Sequence, residues 1–265
     1  MEALALHGSL GDIALLLGLS SVRIATAFLL VPLFTADLLP ATVRNAIFIA
    51  LALLSLALQP APAPLTLSAW QWITMYGKEA FIGASVGIVY AGVMWAFEAA
   101  GQVIDTKVGA TQAQLQDPLS GQQTSLTGAF FARLASWVFM ASGGFMLMIG
   151  TLLQTYAMWP VRAPMPPLAT MGVQFFESQF GRIMLLTLIV AAPALVLMIL
   201  LDGVLGLVNR FAQQLNVQSL SMSLKAIAAV WIIWIQVASL VQLLQEDLLA
   251  RGGVAILSLR QLLGS

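Results

Sequence analysis

Two carboxylates seven residues apart, Glu98 and Asp105, are the side chains of this sequence best placed for acid–base chemistry. If the chain is helical there, this spacing brings both to one face of the helix, where such a pair could transfer protons. A catalytic site also needs a nucleophile beside a base, or a cluster of metal ligands. The chain has no cysteine, and its one histidine, His7, lies near the start. The sequence therefore argues against an enzyme and predicts neither a cofactor nor a metal site.

A long polar segment, GATQAQLQDPLSGQQTSLTG, follows these carboxylates at residues 109 to 128, and Asp117 is its one charged residue. Asp117 and Pro118, with Gly121 shortly after, are typical of a turn. Irregular backbone at membrane depth must be buried in protein or line a wet cavity, and loops longer than about 12 to 15 residues are usually functional or disordered. Two interpretations are open: a loop outside the membrane, or a loop that lines or plugs a pore.

The composition on either side of this segment is that of a membrane protein. Hydrophobic residues make up 60% of the chain and charged residues 8%, and the mean hydropathy is +0.95. A soluble domain carries about 25% charged residues. Acidic and basic residues balance at 11 each, so the sequence offers no basic face for nucleic acid. We expect an integral, multi-pass membrane protein in contact with lipid.

Apolar segments long enough to span a bilayer predict an all-α fold of about six hydrophobic helices arranged in hairpins. The predicted helices cover residues 13 to 34, 43 to 58, 70 to 101, 126 to 159, 183 to 201 and 226 to 245. The loop between the third and fourth helices is placed at residues 106 to 125, and residues 1 to 265 are expected to form a single domain. Gly83 and Gly87 have the spacing of a close helix contact, although glycine is also simply common in membrane helices.

Loop charges do not orient these six helices in the membrane. One side would hold Arg44, Lys107, Arg210 and Lys225, and the other Lys78, Arg162, Arg182, Arg251 and Arg260. Cytoplasmic loops normally carry an excess of Lys and Arg, and this distribution has none. Arg23 lies within the first apolar segment, where a charge is costly unless it faces protein or water. It could also reach the membrane surface or pair within its own chain. Partner proteins are one explanation for both observations.

Three stretches of the chain resemble one family, in the expected order. They are RIATAFLLVPLFTADLLPATVRNAI at 23 to 47, KEAFIGASVGIVYAGVMWAFEAAGQVID at 78 to 105 with the following DPLSGQQTS, and LGLVNRFAQQLNVQSLSMSLK at 205 to 225. They resemble the inner-membrane export-apparatus proteins of type III secretion systems, the SctT family, and their flagellar relatives, FliR. The segments NRFAQQLNV and EAAGQVID fit the secretion branch better than the flagellar one.

The resemblance implies a structural subunit of a protein-export gate in the bacterial inner membrane. Such a subunit closes a helical assembly of SctR-like and SctS-like subunits around a pore for unfolded secreted proteins, beside an SctU-like switch protein and an SctV-like gate component. It also implies that the polar loop projects into the pore as a plug. The implied plug residues are Gly109, Gln112, Gln114, Gln116, Asp117, Pro118, Ser120 and Gly121. The predicted subunit-interaction residues are Arg23, Glu98, Asp105, Asp202, Asn209, Arg210 and Lys225. For Arg210 and Lys225, anchoring at the membrane surface is an open alternative.

A secondary transporter of a small solute is the alternative function. Broken helices and polar groups at mid-membrane are typical of transporters, and Pro193 interrupts the fifth predicted helix. Transporters usually contain paired halves, however, and the six segments do not pair convincingly. Uptake of a solute by the purified protein in vesicles, without secretion partners, would favour the transporter.

Overall fold

The computed structural model of the protein describes residues 10–33, 39–57, 69–109, 125–163, 171–211 and 217–263. All regular structure in these ranges is helical, as the sequence predicts. The helices are α1 Leu10–Leu30, α2 Ala41–Ala57, α3 Ala69–Val108, α4 Leu126–Ala141, α5 Gly144–Met158, α6 Met171–Phe211 and α7 Val217–Leu263.

The helices α6 and α7 are much longer than the segments predicted at 183 to 201 and 226 to 245. They contain 41 and 47 residues. At 1.5 Å per residue each is roughly 60 to 70 Å long, about twice the hydrocarbon thickness of a bilayer. Polar residues next to the apolar segments therefore continue these helices and do not end them.

Two helices, α4 and α5, occupy the region predicted as one helix from 126 to 159. Ser142 and Gly143 form a break between them. Gly143 has a φ of 81°, a left-handed conformation that glycine adopts without steric cost. Glycine at this position thus allows the chain to change direction between two apolar helices.

Within the ranges that the structure describes, three helices are long and apolar enough to cross a membrane: Trp70–Val108, Val173–Phe211 and Leu220–Arg251. Counting α4 and α5 as one bent span raises the number to four among the described residues, while α1 and α2 are shorter apolar helices. In the most apolar 18-residue stretch of each of these three helices, the buried share is 72% for Trp70–Val108. It is 33% for Val173–Phe211 and 22% for Leu220–Arg251. The central part of α3 is thus an internal helix, whereas α6 and α7 expose apolar side chains.

Contacts within the chain define two units. The first contains Met1–Gly92, Gly143–Gln179 and Leu248–Ser265, and the second contains Val93–Ser142 and Phe180–Asp247. The helices α3, α6 and α7 each contribute residues to both units. The division therefore runs through helices rather than through linkers.

Within the first unit, α1 and α3 approach each other backbone to backbone. A Cβ atom on Gly87 would lie 2.9 Å from the carbonyl oxygen of Ala27, and one on Gly83 would clash with the carbonyl of Arg23. The predicted role of these two glycines in helix contact is confirmed. The close approach brings Arg23 on α1 next to the beginning of α3.

Candidate functional site

A buried ion pair between Arg23 and Glu79 joins α1 to α3 in the first unit. Arg23 Nε lies 2.7 Å from Glu79 Oε2, Arg23 Nη2 lies 2.9 Å from Oε1, and neither side chain is exposed to solvent. This two-pronged geometry is the strongest arrangement of a guanidinium and a carboxylate. The Arg23 guanidinium also donates to Thr155 Oγ1 at 3.1 Å and to the carbonyl of Trp159 at 2.9 Å. It therefore connects α1 and α3 to the end of α5.

A second cation, Lys78, completes this buried charge cluster. Its Nζ lies 3.0 Å from Glu79 Oε1. It donates to the carbonyls of Pro160, Val161 and Ala163, at 3.1, 2.6 and 2.8 Å. Carbonyls at and beyond a helix C-terminus lack intrahelical donors. Lys78 therefore supplies the hydrogen bonds that the chain needs where it leaves α5.

The cluster gives the surroundings of two basic residues that the sequence singles out. Arg23, predicted to take part in subunit contacts, has a fully buried guanidinium that Glu79, Thr155 and Trp159 surround within its own chain. Its part in subunit contacts stays a prediction. Lys78 lies inside α3, within the helix predicted at 70 to 101, and its side chain is buried. The adjacent Lys78 and Glu79 were visible in the sequence as the start of an apolar run. Their distant partners were not.

The base of the polar loop, in the second unit, is built around Asp105. Its Oδ2 accepts hydrogen bonds from Ser125 Oγ at 2.6 Å and from the Thr127 backbone N–H at 2.9 Å, and its Oδ1 accepts one from Thr127 Oγ1. Ser125 Oγ in turn accepts from the Gly128 N–H at 2.9 Å and caps the N-terminus of α4. A carboxylate and a serine hydroxyl both suit the exposed N–H groups of a helix start. Asp105 thus fixes the residues before and after the loop to each other.

Glycines shape the backbone at both ends of this loop. Gly109 ends α3 with a φ of 89°, in the left-handed region. About two turns earlier on α3, a Cβ on Gly101 would collide with the backbone of Gly128 on α4. The backbones of the two helices are therefore in close contact at this point. The loop therefore begins and ends at neighbouring points held by Asp105.

The proposed plug residues other than Gly109 lie outside the described residues. They are Gln112, Gln114, Gln116, Asp117, Pro118, Ser120 and Gly121. Their part in a plug stays a prediction. What the structure describes is the base from which residues 110 to 124 extend.

The remaining predicted interaction residues occupy different environments. Asp105 is buried and bonded within its own chain, and its part in a subunit contact stays a prediction. Glu98 is half-buried and accepts a hydrogen bond of 3.3 Å from Gln102. Asp202 on α6 forms an ion pair with Lys225 on α7. Asn209 and Arg210 are exposed at the end of α6 and remain available for a partner.

This geometry favours a structural role over catalysis. The carboxylate of Asp105 binds three donors of the loop base, so it is committed to holding α4 and is a poor candidate for a general base. Glu79 is likewise committed to two buried cations. Both carboxylates fix one segment of chain against another.

Comparison with known proteins gives consistent relatives. The family model described as bacterial export proteins, family 1, matches residues 14–250. The Yop proteins translocation protein T of Yersinia pestis is 34% identical over 208 residues, which are 78% of this chain and 80% of that protein. The surface presentation of antigens protein SpaR of Salmonella typhimurium is 29% identical over 218 residues, 81% of this chain and 80% of that one. The flagellar biosynthetic protein FliR of Bacillus subtilis is 25% identical over 205 residues, 77% of this chain and 79% of that one.

Proposed function

The chain belongs to the bacterial export proteins, family 1, in its type III secretion branch, SctT, which is related to flagellar FliR, and we propose that it gates a protein-export pore. The polar loop at 110 to 124 is the gate in this proposal. It obstructs the pore at rest and moves aside for unfolded secreted proteins. The single observation that carries the proposal is the base of the loop, where Asp105 binds Ser125 and Thr127.

A clamped base is what a loop needs if it is to act as a gate. Fifteen residues lie between Gly109 and Ser125, and Asp117 is the one charged residue among them. Such a polar, nearly neutral segment would bind no passing chain strongly. Because its two ends are fixed to each other, its movements would leave α3 and α4 in place.

The exposed apolar surfaces of α6 and α7 support a place within an assembly in the membrane. We propose that this membrane is the bacterial inner membrane and that the partners are SctR-like and SctS-like subunits, with SctU-like and SctV-like proteins nearby. Asn209 and Arg210, exposed at the end of α6, are the described residues among the predicted contacts best placed to meet them.

The test of the gate is deletion of residues 110 to 122 in cells that express the complete secretion apparatus. Asp105, Ser125 and Thr127 remain, so we expect the complex to assemble in normal yield. We expect the membrane to become permeable to ions and small molecules, measured as uptake of a small impermeant dye.

The control replaces the same residues by a Gly/Ser sequence of equal length, which restores the bulk of the loop. We expect it to leak less than the deletion. A deletion variant that assembles normally and leaks no more than the wild type would contradict the gate.

A further inference from the structure

A groove of about 390 Å³ lies between α6 and α7 in the second unit. Ile189 and Pro193 line it from α6, and Ile232, Gln236, Ser239 and Leu243 are among the residues that line it from α7. The α7 residues follow helical spacing over about three turns, or roughly 16 Å. The groove is therefore elongated along the helices, and its size is at the lower end of ligand pockets.

The groove has polar groups in a mainly apolar wall. Gln236 Nε2 is buried and has no hydrogen-bond partner among the residues that the structure describes. On the opposite wall, Pro193 has no N–H group, so the carbonyl of Ile189 loses its usual helical donor. A buried donor without a partner is costly, and in membrane proteins such groups bond to other helices.

These polar groups lie near the middle of their spans. Pro193 is close to the centre of Val173–Phe211, and Gln236 is close to the centre of Leu220–Arg251. If the helices cross a bilayer with about 30 Å of hydrocarbon, the lipid ester groups lie roughly 15 Å away. Acyl chains can fill the groove but offer no acceptor to Gln236. A protein helix offers both apolar side chains and an acceptor at that depth.

We propose that this groove receives a membrane-spanning helix of a neighbouring subunit, and that an acceptor side chain near the middle of that helix binds Gln236. The proposal rests on the proposed function, because it takes the neighbour to be another export-apparatus subunit. The side chain of Ile235 lies at the rim and is 50% exposed, so the groove is open to an approaching helix. Specificity comes from Gln236, since an apolar helix without an acceptor would leave its amide unpaired.

The first test is photo-crosslinking in native membranes, with a photoreactive amino acid at Ile235. We expect a crosslink to a membrane-spanning segment of another export-apparatus subunit, with Asn, Gln, Ser, Thr, Asp or Glu near its midpoint. The control position is Val230, which is exposed on another face of α7. A crosslink from Ile235 to lipid alone, or to a segment without such a residue, overturns the proposal.

The second test compares Gln236→Leu with Gln242→Leu in the same crosslinking experiment. Gln242 is an exposed glutamine on the same helix and does not line the groove. Because one hydrogen bond between membrane helices is lost, we expect Gln236→Leu to lower the crosslink yield about threefold to tenfold. Gln242→Leu should leave it unchanged. Equal yields in the two variants overturn the proposal.

Secretion by the same strains separates this proposal from the proposed function. If cells that lack the chain secrete normally, the export function itself fails. If they do not secrete, and the Ile235 crosslink is insensitive to Gln236→Leu, the assignment of the groove fails alone. The wild-type crosslink is informative even if a Gln236 variant folds poorly.

Discussion

Glu79 is the residue on which the buried charges of the first unit depend. Its carboxylate contacts both Arg23 and Lys78, and each cation also bonds to carbonyls at or just beyond the end of α5. Removal of one member of a buried ion pair typically costs about 3 to 5 kcal/mol, because the remaining charge is left unpaired in an apolar region. The three residues therefore differ in how much their loss should cost.

We predict that Glu79→Leu destabilises the protein more than Arg23→Leu. The first change leaves two cations without their carboxylate, whereas the second leaves Glu79 paired with Lys78. The expected loss for Glu79→Leu is on the order of 3 to 5 kcal/mol, measured as a lower midpoint of thermal unfolding in detergent. The double variant should lose less than the sum of the single losses. Equal midpoints for the two single variants would show that the cluster is not organised around Glu79.

A second prediction at this scale concerns Asp105. Asp105→Ala removes three hydrogen bonds from the loop base, and the loss of an N-terminal cap alone costs about 1 kcal/mol. We expect faster proteolysis between α3 and α4, followed by mass spectrometry of the fragments, and a partial leak in cells.

Glu98→Gln is the matched control for Asp105→Ala, because Glu98 lies on the same helix and accepts one long hydrogen bond. It should behave as the wild type. If Asp105→Ala and Glu98→Gln are cleaved at the same rate, Asp105 does not hold the base of the loop.

The positions of the helices follow from their glycines as much as from their apolar residues. Gly101 and Gly128 bring α3 and α4 into backbone contact, and Gly143 allows the bend between α4 and α5. By contrast, Gly150 has open space around the position of a Cβ. Glycines of this chain therefore differ in whether the surrounding structure has room for a larger side chain.

We predict that Gly101→Ala prevents the close contact of α3 and α4, whereas Gly150→Ala does not disturb the fold. The added methyl group on Gly101 would meet backbone, which cannot move aside as a flexible side chain can. At Gly150 the change replaces a poor helix former by the best one and should stabilise the helix by up to about 1 kcal/mol. The yield of monodisperse protein after detergent extraction measures both. Similar yields would contradict the close contact at Gly101.

The sequence predicts the existence of the helices better than their extents. Apolar runs identify α1, α2, α3, α6 and α7, because burial from water or contact with lipid decides those regions. The break at Gly143 is not predicted, since glycine is common inside membrane helices and its left-handed conformation depends on the surrounding fold. The full lengths of α6 and α7 are also missed, because their polar ends have no sequence signal that distinguishes a helix from a loop.

The candidate site could be predicted in part. The contacts that the sequence does not predict join residues that are far apart in the chain. The polar loop and Asp105 stand out along the chain, but the partners of Asp105 lie about twenty residues later, and those of Arg23 lie on α3 and at the end of α5. No periodicity connects such residues. In the sequence, Lys78 and Glu79 are therefore only two adjacent charges, although in the structure they form the centre of the cluster.

For the whole molecule, burial and ion pairs of basic residues explain why the distribution of Lys and Arg predicts no orientation of the helices in the membrane. The distribution counted Lys78 and Arg251 as loop charges, but both are buried. Arg182 and Lys225 form ion pairs with Asp247 and Asp202. The positive-inside rule applies to charges exposed in short loops, and several basic residues of this chain do not belong to that class.

The apolar surface of the whole molecule is distributed unevenly among its membrane helices. Most of the most apolar 18-residue stretch of α3 is buried within the chain. Most of the equivalent stretches of α6 and α7 is not buried. A helix surrounded by its own chain needs neither lipid nor partner. The long helices α6 and α7 are therefore the part of the molecule through which an assembly would be built.

The hydrogen bond between Asp105 and Ser125 also limits how far the polar loop between them can extend. A segment of fifteen residues can extend about 50 Å at most, and one that must return to its starting point can reach only half as far, roughly 25 Å. Any constriction that residues 110 to 124 obstruct must lie within that radius of Asp105. If the loop gates a pore as proposed, the narrowest part of that pore can therefore be sought by measuring outward from a single aspartate.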